Sequence, residues 1–217
     1  MESISLNQTA ALAADYVNTT RRHIFLTGKA GTGKTTFLRH IVQHTFKYAV
    51  VAAPTGIAAI NAGGVTLHSL LHLPFGAFLP ENIPFQEGTT TRLNTPKSLN
   101  NTIRFREEKL RLIRQLELLI IDEVSMLRAD LLDAIDHRLR SLRKRREPFG
   151  GVQMLFIGDL KQLPPVVKED EWSWLRPYYK SPYFFEAKAL NQHPPLTIEL
   201  KEIYRQSAQA FIDIRFS

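Results

Sequence analysis

The sequence predicts an α/β fold, a parallel β-sheet flanked by helices on both faces. Three observations predict it. Residues 116–122 (LELLIID) and 152–158 (VQMLFIG) are short apolar runs, helical spacing separates such runs, and a glycine-rich turn joins an earlier one, 23–27 (HIFLT), to a helix. A strand apolar at nearly every position suits burial on both faces, the condition of a parallel sheet covered from each side. The elements follow in order. Residues 23–27 (HIFLT) read as a strand, 34–46 as an amphipathic helix, 48–53 (YAVVAA) as the next strand and 57–61 as a short helix. After the strand at 116–122, apolar residues at 127, 131, 132, 135, 139 and 142 mark one buried face of a helix over 127–142. The strand at 152–158 and a weaker one at 196–200 complete the sheet. Strands alternating with helices make the sheet parallel, and ligands of such sheets bind beyond the carboxyl ends of the strands.

Two regions break this alternation. Residues 74–102 are polar and rich in Pro, Asn and Thr without a countable period, and read as an inserted excursion. Residues 171–185 hold seven aromatics among fifteen positions. Such a cluster offers either a base-stacking platform or a packed satellite of the core, and packing is the expectation.

Composition narrows the chemistry. The 217 residues carry 28 Lys+Arg against 21 Asp+Glu, a net charge of +7, which gives a mild preference for polyanions. With 44% hydrophobic residues the chain can build a core of its own. The absence of cysteine excludes disulfides, zinc–thiolate sites, iron–sulfur clusters and cysteine nucleophiles. No apolar run approaches the roughly 20 residues needed to span a bilayer. The start, Met1-Glu2-Ser3-Ile4-Ser5, lacks the pattern of a secretory signal. A soluble, cytoplasmic protein with no membrane partner is expected.

Gly28-Lys29-Ala30-Gly31-Thr32-Gly33-Lys34-Thr35 fits the phosphate-loop pattern and lies between a strand and a helix, the context that gives the pattern meaning. Glycines let backbone N–H groups converge on phosphates, and the helix N-terminus adds partial positive charge. Lys34 would reach the β- and γ-phosphates and the Thr35 hydroxyl would ligate Mg²⁺. Asp122 and Glu123 end a buried strand with two carboxylates. Asp122 is placed to hold the metal, Glu123 to orient or deprotonate an attacking water. Residues 156–166 (FIGDLKQLPPV) close another strand, where Gln162 can sense the γ-phosphate and Asp159 support the loop.

The ordered set GKAGTGKTT, APTGIAA with TLHS, IIDEVSML, FIGDLKQLPPV and LKEIYRQ resembles the motor domain of superfamily-1 helicases. Residues 133–153, with Arg138, Arg140, Pro148-Phe149-Gly150-Gly151 and Gln153, are similar to the signature of Pif-type helicases, relatives of the RecD branch. The resemblance covers nearly the whole chain. It implies a RecA-like P-loop NTPase fold and an ATP-driven, Mg²⁺-dependent DNA helicase that translocates 5′ to 3′ on single-stranded DNA. It carries ATP contacts onto Gly28, Ala30, Gly31, Thr32, Gly33, Lys34, Thr35, Thr36 and Asp122. It makes Lys34, Glu123, Gln162 and Arg205 the catalytic set, with Arg205 on the γ-phosphate. Gln8, in Leu6-Asn7-Gln8, resembles the glutamine that reads adenine.

The same resemblance lays Pro54-Thr55-Gly56 and Thr66, His68 and Ser69 along the DNA strand. Small hydrogen-bonding groups suit sugar–phosphate contacts that carry no sequence information. Taken alone, His68 reads as a buried, hydrogen-bonded histidine; beside Thr66 and Ser69 it reads as a DNA contact. Residues 138–146 (RLRSLRKRR) carry six basic residues among nine. They are either the solvated end of a helix or a backbone-binding edge. Residues 74–108 occupy the place where relatives carry a wedge subdomain. Helicases of this kind have a second RecA-like domain, whose motifs are absent here, so the chain is expected to be the first motor domain alone, hydrolysing ATP slowly and not unwinding DNA. Two other classes stay open: a nucleotide-dependent binding module with little turnover, and a P-loop kinase. Glu123 argues against the first, and the Gly158-Asp159-x-x-Gln162 loop against the second.

Overall fold

The computed structural model describes residues 6–83, 91–101 and 105–202. Helix α1 (Gln8–Thr19) leads into strand β1 (Ile24–Gly28) and helix α2 (Lys34–His44). Strand β2 (Ala49–Ala53), helix α3 (Gly56–Asn61), the short strand β3 (Val65–Thr66) and helix α4 (Leu67–Leu71) follow. The region that lacks a countable period holds two short strands, β4 (Ala77–Phe78) and β5 (Leu93–Asn94), and helix α5 (Pro96–Asn101). Helix α6 (Glu107–Gln115), strand β6 (Leu118–Ile121), helix α7 (Ala129–Arg143), strand β7 (Gln153–Gly158), helix α8 (Glu169–Leu175) and strand β8 (Leu196–Leu200) complete the order.

Six strands form one sheet in the order β3-β2-β6-β7-β1-β8. Every pairing in it is parallel, with registers such as Ile24↔Leu155, Ile120↔Leu155 and Leu26↔Ile198. The expected sheet is therefore present, with element ends moved by at most two residues. Alternation along each central strand divides its apolar residues between two cores. Ile24, Leu26, Leu118, Ile120, Leu155 and Ile157 face α1 and α2, meeting Ala13, Val17, Phe37 and Ile41. Phe25, Leu119, Ile121, Met154 and Phe156 face the other way, against Leu132, Ile135 and Leu139 of α7. Phe184 fills that second core, with its ring 5.3 Å from Phe25 and 5.1 Å from Phe156. Truncating a ring so placed costs ~3–5 kcal/mol.

Helix α1 is absent from the sequence reading. It packs through Ala10, Ala13, Ala14 and Val17, a stripe at helical spacing whose small side chains give weak hydrophobic contrast. Asn7 caps it, its side-chain oxygen accepting from the Ala10 N–H at 2.8 Å.

The described part of the excursion is continuous with the main core: Ala77, Phe78, Leu79 and Leu99 are buried in the α7-side cluster. Its anchor is Asp130, which accepts from the Phe78 N–H at 2.9 Å. Arg128 holds Asp130 in turn at 2.8 Å and reaches Glu171 of α8 at 2.6 Å. The aromatic region packs, as expected. Tyr179 and Phe184 are buried, Trp172, Trp174 and Tyr178 lie against the core, and Phe185 stays exposed, stacked on Tyr183.

Residues 138–146 fit neither of their two readings as a whole. Arg138 is only 3% exposed and donates to the carbonyls of Leu99 (2.6 Å) and His72 (3.2 Å). Arg140 pairs with Asp136, and Arg143 donates to the carbonyls of Gly150, Ile113 and Arg114. Arg138 and Arg143 therefore tie α7 to its neighbours, while Arg140 bonds within the helix and to the Arg146 carbonyl just beyond it. Lys144, Arg145 and Arg146 remain exposed. Among the described residues no helix is long and apolar enough to cross a membrane.

Candidate nucleotide site and nucleic-acid face

The loop after β1 is built by close approach. A Cβ on Gly28 would lie 2.5 Å from Thr32 Oγ1 and 2.6 Å from the Leu200 carbonyl, so only glycine passes there. Thr32 is 2% exposed and its hydroxyl donates to the Lys29 carbonyl at 2.9 Å. Its backbone N–H donates to the same carbonyl at 3.3 Å, so Thr32 shapes the loop through both groups. Gly33 precedes α2 in the left-handed region at φ 89°, turning the chain so that the helix starts at Lys34. Ala30 and Gly31 form the exposed tip, and Thr35 and Thr36 stand exposed in the first turn of α2. Lys34 Nζ donates to the carbonyls of Gly28 at 2.7 Å and Lys29 at 3.0 Å, so the ammonium closes back over its own loop.

Beyond β6 the ladder continues for one bond, Asp122 N–H to the Ala52 carbonyl at 3.0 Å. Glu123 then turns into the left-handed region at φ 51°, ψ 44°. That conformation costs a residue with a side chain, and such strain collects at functional sites. It swings the Glu123 N–H onto Asp122 Oδ1 at 3.0 Å and starts a short 3₁₀ turn, Val124–Met126. The end of β7 presses on this turn: a Cβ on Gly158 would sit 3.0 Å from the Val124 nitrogen. Asp159 follows, accepting from the N–H of Lys161 at 3.0 Å through Oδ1 and of Gln162 at 2.9 Å through its carbonyl. Gln162 is held exposed.

Burial raises the proton affinity of Asp122, opposed by its bond from Glu123 N–H and by Lys34. Burial also raises that of Glu123, reinforced by Asp122 and Asp159 and opposed by Lys34. One ammonium thus acts on both carboxylates, and a carboxylate made more basic is a better proton acceptor.

Asn7 donates to Glu202 at 3.1 Å, which fixes the start of α1, where Gln8 is exposed, beside the end of β8. Arg205 lies outside the described residues.

The other six predicted residues meet at the β2–β3 edge, where Ala53 pairs with Thr66. Pro54 is half-buried, and Gly56 faces open space. Thr55 and Thr66 cap α3 and α4, their hydroxyl oxygens accepting from Ala58 N–H (3.3 Å) and Ser69 N–H (3.1 Å). Each hydroxyl proton remains available to donate outward. His68 is half-buried and stacked on Phe75, with centroids 5.0 Å apart, and burial followed by the charge of Arg128 lowers its proton affinity. Sequence reasoning missed Lys109 of α6, which donates to the Ser69 carbonyl, and Phe75. A lysine on a charged helix and a phenylalanine in a polar excursion gave no signal.

The PIF1-like helicase family profile matches residues 4–212. The chain belongs to the PIF1-like helicase family. It is 35% identical over 198 residues to the ATP-dependent DNA helicase PIF1 of Saccharomyces cerevisiae, covering 88% of this chain and 20% of that one. A structure of Bacteroides Pif1 bound to ssDNA superposes with a TM-score of 0.80 at 42% identity, covering 98% of this chain and 45% of that chain. The complex of Bacteroides sp Pif1 with ADP-AlF4 gives a TM-score of 0.81, again at 42% identity, over 97% of this chain and 45% of that one. This PIF1-like chain has the sheet of a RecA-like P-loop domain. It spans about a fifth of the yeast relative and under half of the Bacteroides chains.

Proposed function

We propose that this chain is an ATP-hydrolysing motor domain of a DNA helicase that moves 5′ to 3′ on single-stranded DNA. The observation that carries this reading is Glu123 held in a left-handed turn beside Asp122, within the field of Lys34, at the carboxyl ends of the central strands. Relatives named ATP-dependent DNA helicases, and neighbours bound to ssDNA and to ADP-AlF4, support it.

The chemistry follows from the residues. Lys34 exchanges its two loop carbonyls for β- and γ-phosphate oxygens, and N–H groups of the loop and of the first turn of α2 would bond the same phosphates. Glu123 accepts the proton of a water that attacks the γ-phosphorus, as the bond to the ADP oxygen breaks. Gln162 orients that water and registers the loss of the γ-phosphate, and Arg205 offsets its charge. Gln8 contacts the adenine. Thr35 and Asp122 offer two hard oxygens, and among the described residues no cluster of three or more His, Asp or Glu side chains could hold a metal alone. A donor set this sparse fits Mg²⁺ that shares its shell with water and phosphate oxygens. When bound, the ion would supply positive charge that offsets the phosphate oxygens.

Pro54, Thr55, Gly56, Thr66, His68 and Ser69 form the single-strand track, by backbone contacts. Residues 74–108, of which Phe78 is anchored on Asp130, would serve as the wedge beside it. A second RecA-like domain would close the cleft, and residues 1–217 by themselves would turn over slowly and not separate strands. The cytoplasmic placement expected from the sequence is kept. Steady-state MgATP hydrolysis with and without single-stranded DNA tests this reading. Low turnover stimulated by the strand is the expected result. Tight nucleotide binding with no hydrolysis in either condition would instead make the chain a nucleotide-dependent binding module.

A further inference from the structure

The last part of the signature stretch, residues 148–153, is not used by the chemistry above. The structure wraps it around a cavity of about 510 Å³ at the amino ends of β1 and β8, the pole of the sheet opposite the phosphate loop. Arg21, Arg22, His23, Arg145 and His193 line this cavity, with Glu147 its one carboxylate.

The backbone that presents these groups is pinned. Thr20 Oγ1 accepts from Arg22 N–H at 3.2 Å. Gln153, only 2% exposed, donates to the Arg22 carbonyl at 2.7 Å and accepts from Lys47 Nζ at 2.7 Å. The His23 carbonyl accepts from Leu196 N–H at 2.8 Å. Met154 N–H donates to His23 Nδ1 at 3.1 Å, which leaves the ring proton on Nε2. Gly151, at φ 78°, leaves room for Arg145: a Cβ there would stand 3.3 Å from its Nη1. Among the described residues, no hydrogen bond or ion pair engages the guanidinium groups of Arg21, Arg22 or Arg145. Arg128, Arg138, Arg140 and Arg143 all have such partners. Three like charges lining one cavity, none of them ion-paired with its single carboxylate Glu147, are offset most directly by an anion, and the planar guanidinium matches phosphate oxygens.

We propose that this cavity binds phosphate groups of a nucleic-acid backbone, at a place separate from the single-strand track. A polymer is favoured over a lone anion because the cations continue out of the cavity along the exposed Lys144, Arg145 and Arg146. The neutral His23 Nε2–H adds an uncharged donor inside. The contacts are to backbone only, so binding is indifferent to sequence and sensitive to salt.

The test replaces Arg21, Arg22 and Arg145 together with glutamine (R21Q, R22Q, R145Q) and measures binding of labelled single-stranded and duplex DNA by fluorescence anisotropy across a salt series. A thermal melt checks that the variant stays folded, as exposed positions allow. About tenfold weaker binding is expected at low salt. The slope of log affinity against log salt should fall by about 2 to 3, near one for each phosphate that is no longer neutralised. The arm that loses more, single strand or duplex, identifies the backbone taken. Unchanged affinity and slope on both would overturn the proposal. So would displacement of the labelled DNA by inorganic phosphate at equal phosphate concentration, the mark of a single-anion pocket. Hydrolysis of MgATP without DNA, read on the same samples, stays at the wild-type rate; its absence from the wild type would count against the motor reading and leave this test intact.

Discussion

Two carboxylate sites in this molecule, the buried Asp133 on α7 and the half-buried Asp122–Glu123 pair after β6, differ in how fully they are bonded. Asp133 accepts from Tyr179 Oη at 2.7 Å, Lys188 N–H at 3.1 Å and Ala189 N–H at 2.9 Å. Asp122 accepts one bond, from its neighbour Glu123, which itself stands in a left-handed turn. Burial raises the proton affinity of all three groups. The direction of a pKa shift therefore does not tell a structural carboxylate from a reactive one. The number of unspent acceptor positions does, because a carboxylate already holding three donors has little left for a ligand, a metal or a water.

The largest expected effect is at Glu123. Glu123→Gln keeps the size and removes the base, so turnover should drop about 10²- to 10⁴-fold while nucleotide affinity, measured by fluorescent-nucleotide titration, is retained. Equal losses of both would make Glu123 a binding residue and narrow the contrast with Asp133. Next comes Asp133→Ala, which strands the Tyr179 hydroxyl and two backbone N–H groups. A loss of ~2–4 kcal/mol is expected in denaturant unfolding, with hydrolysis per folded molecule unchanged. Tyr179→Phe removes one bond from the same site and should cost ~1 kcal/mol by the same measurement. The smallest effect is one of pH. Burial, with the charge of His193, lowers His23 to about 4 from 6.5. The folded state therefore favours the neutral ring, and its contribution is complete above pH 6.5 and lost as pH falls toward 4. His23→Gln should flatten the stability profile over that window, read as melting temperature against pH.

What the sequence made legible follows the same division. The phosphate loop, the acidic pair and the strand ends that carry them are local patterns, in which spacing along the chain sets the geometry. The central strands were legible because burial on both faces leaves a composition signal. The left-handed turn at Glu123 was not, since nothing in Ile121-Asp122-Glu123-Val124 requires φ 51° until Gly158 packs against it. The roles of Arg138, Arg140 and Arg143 were hidden as well. Their partners are carbonyls and an aspartate supplied mainly by other elements, so a run of basic residues reads the same whether solvated or bonded internally. Helix α1 was missed because an alanine face scarcely differs from its surroundings in hydropathy. His68 illustrates a mixture: its place beside Thr66 and Ser69 was expected, and its stacking on Phe75 came only from the fold.

The contrast between the two carboxylate sites is tested most directly by single-turnover hydrolysis of bound ATP, measured in Glu123→Gln and Asp133→Asn side by side and normalised to the folded fraction. The account predicts that cleavage is lost in the first and stays close to the wild-type rate in the second. Cleavage surviving in Glu123→Gln, or lost equally in Asp133→Asn, would contradict it.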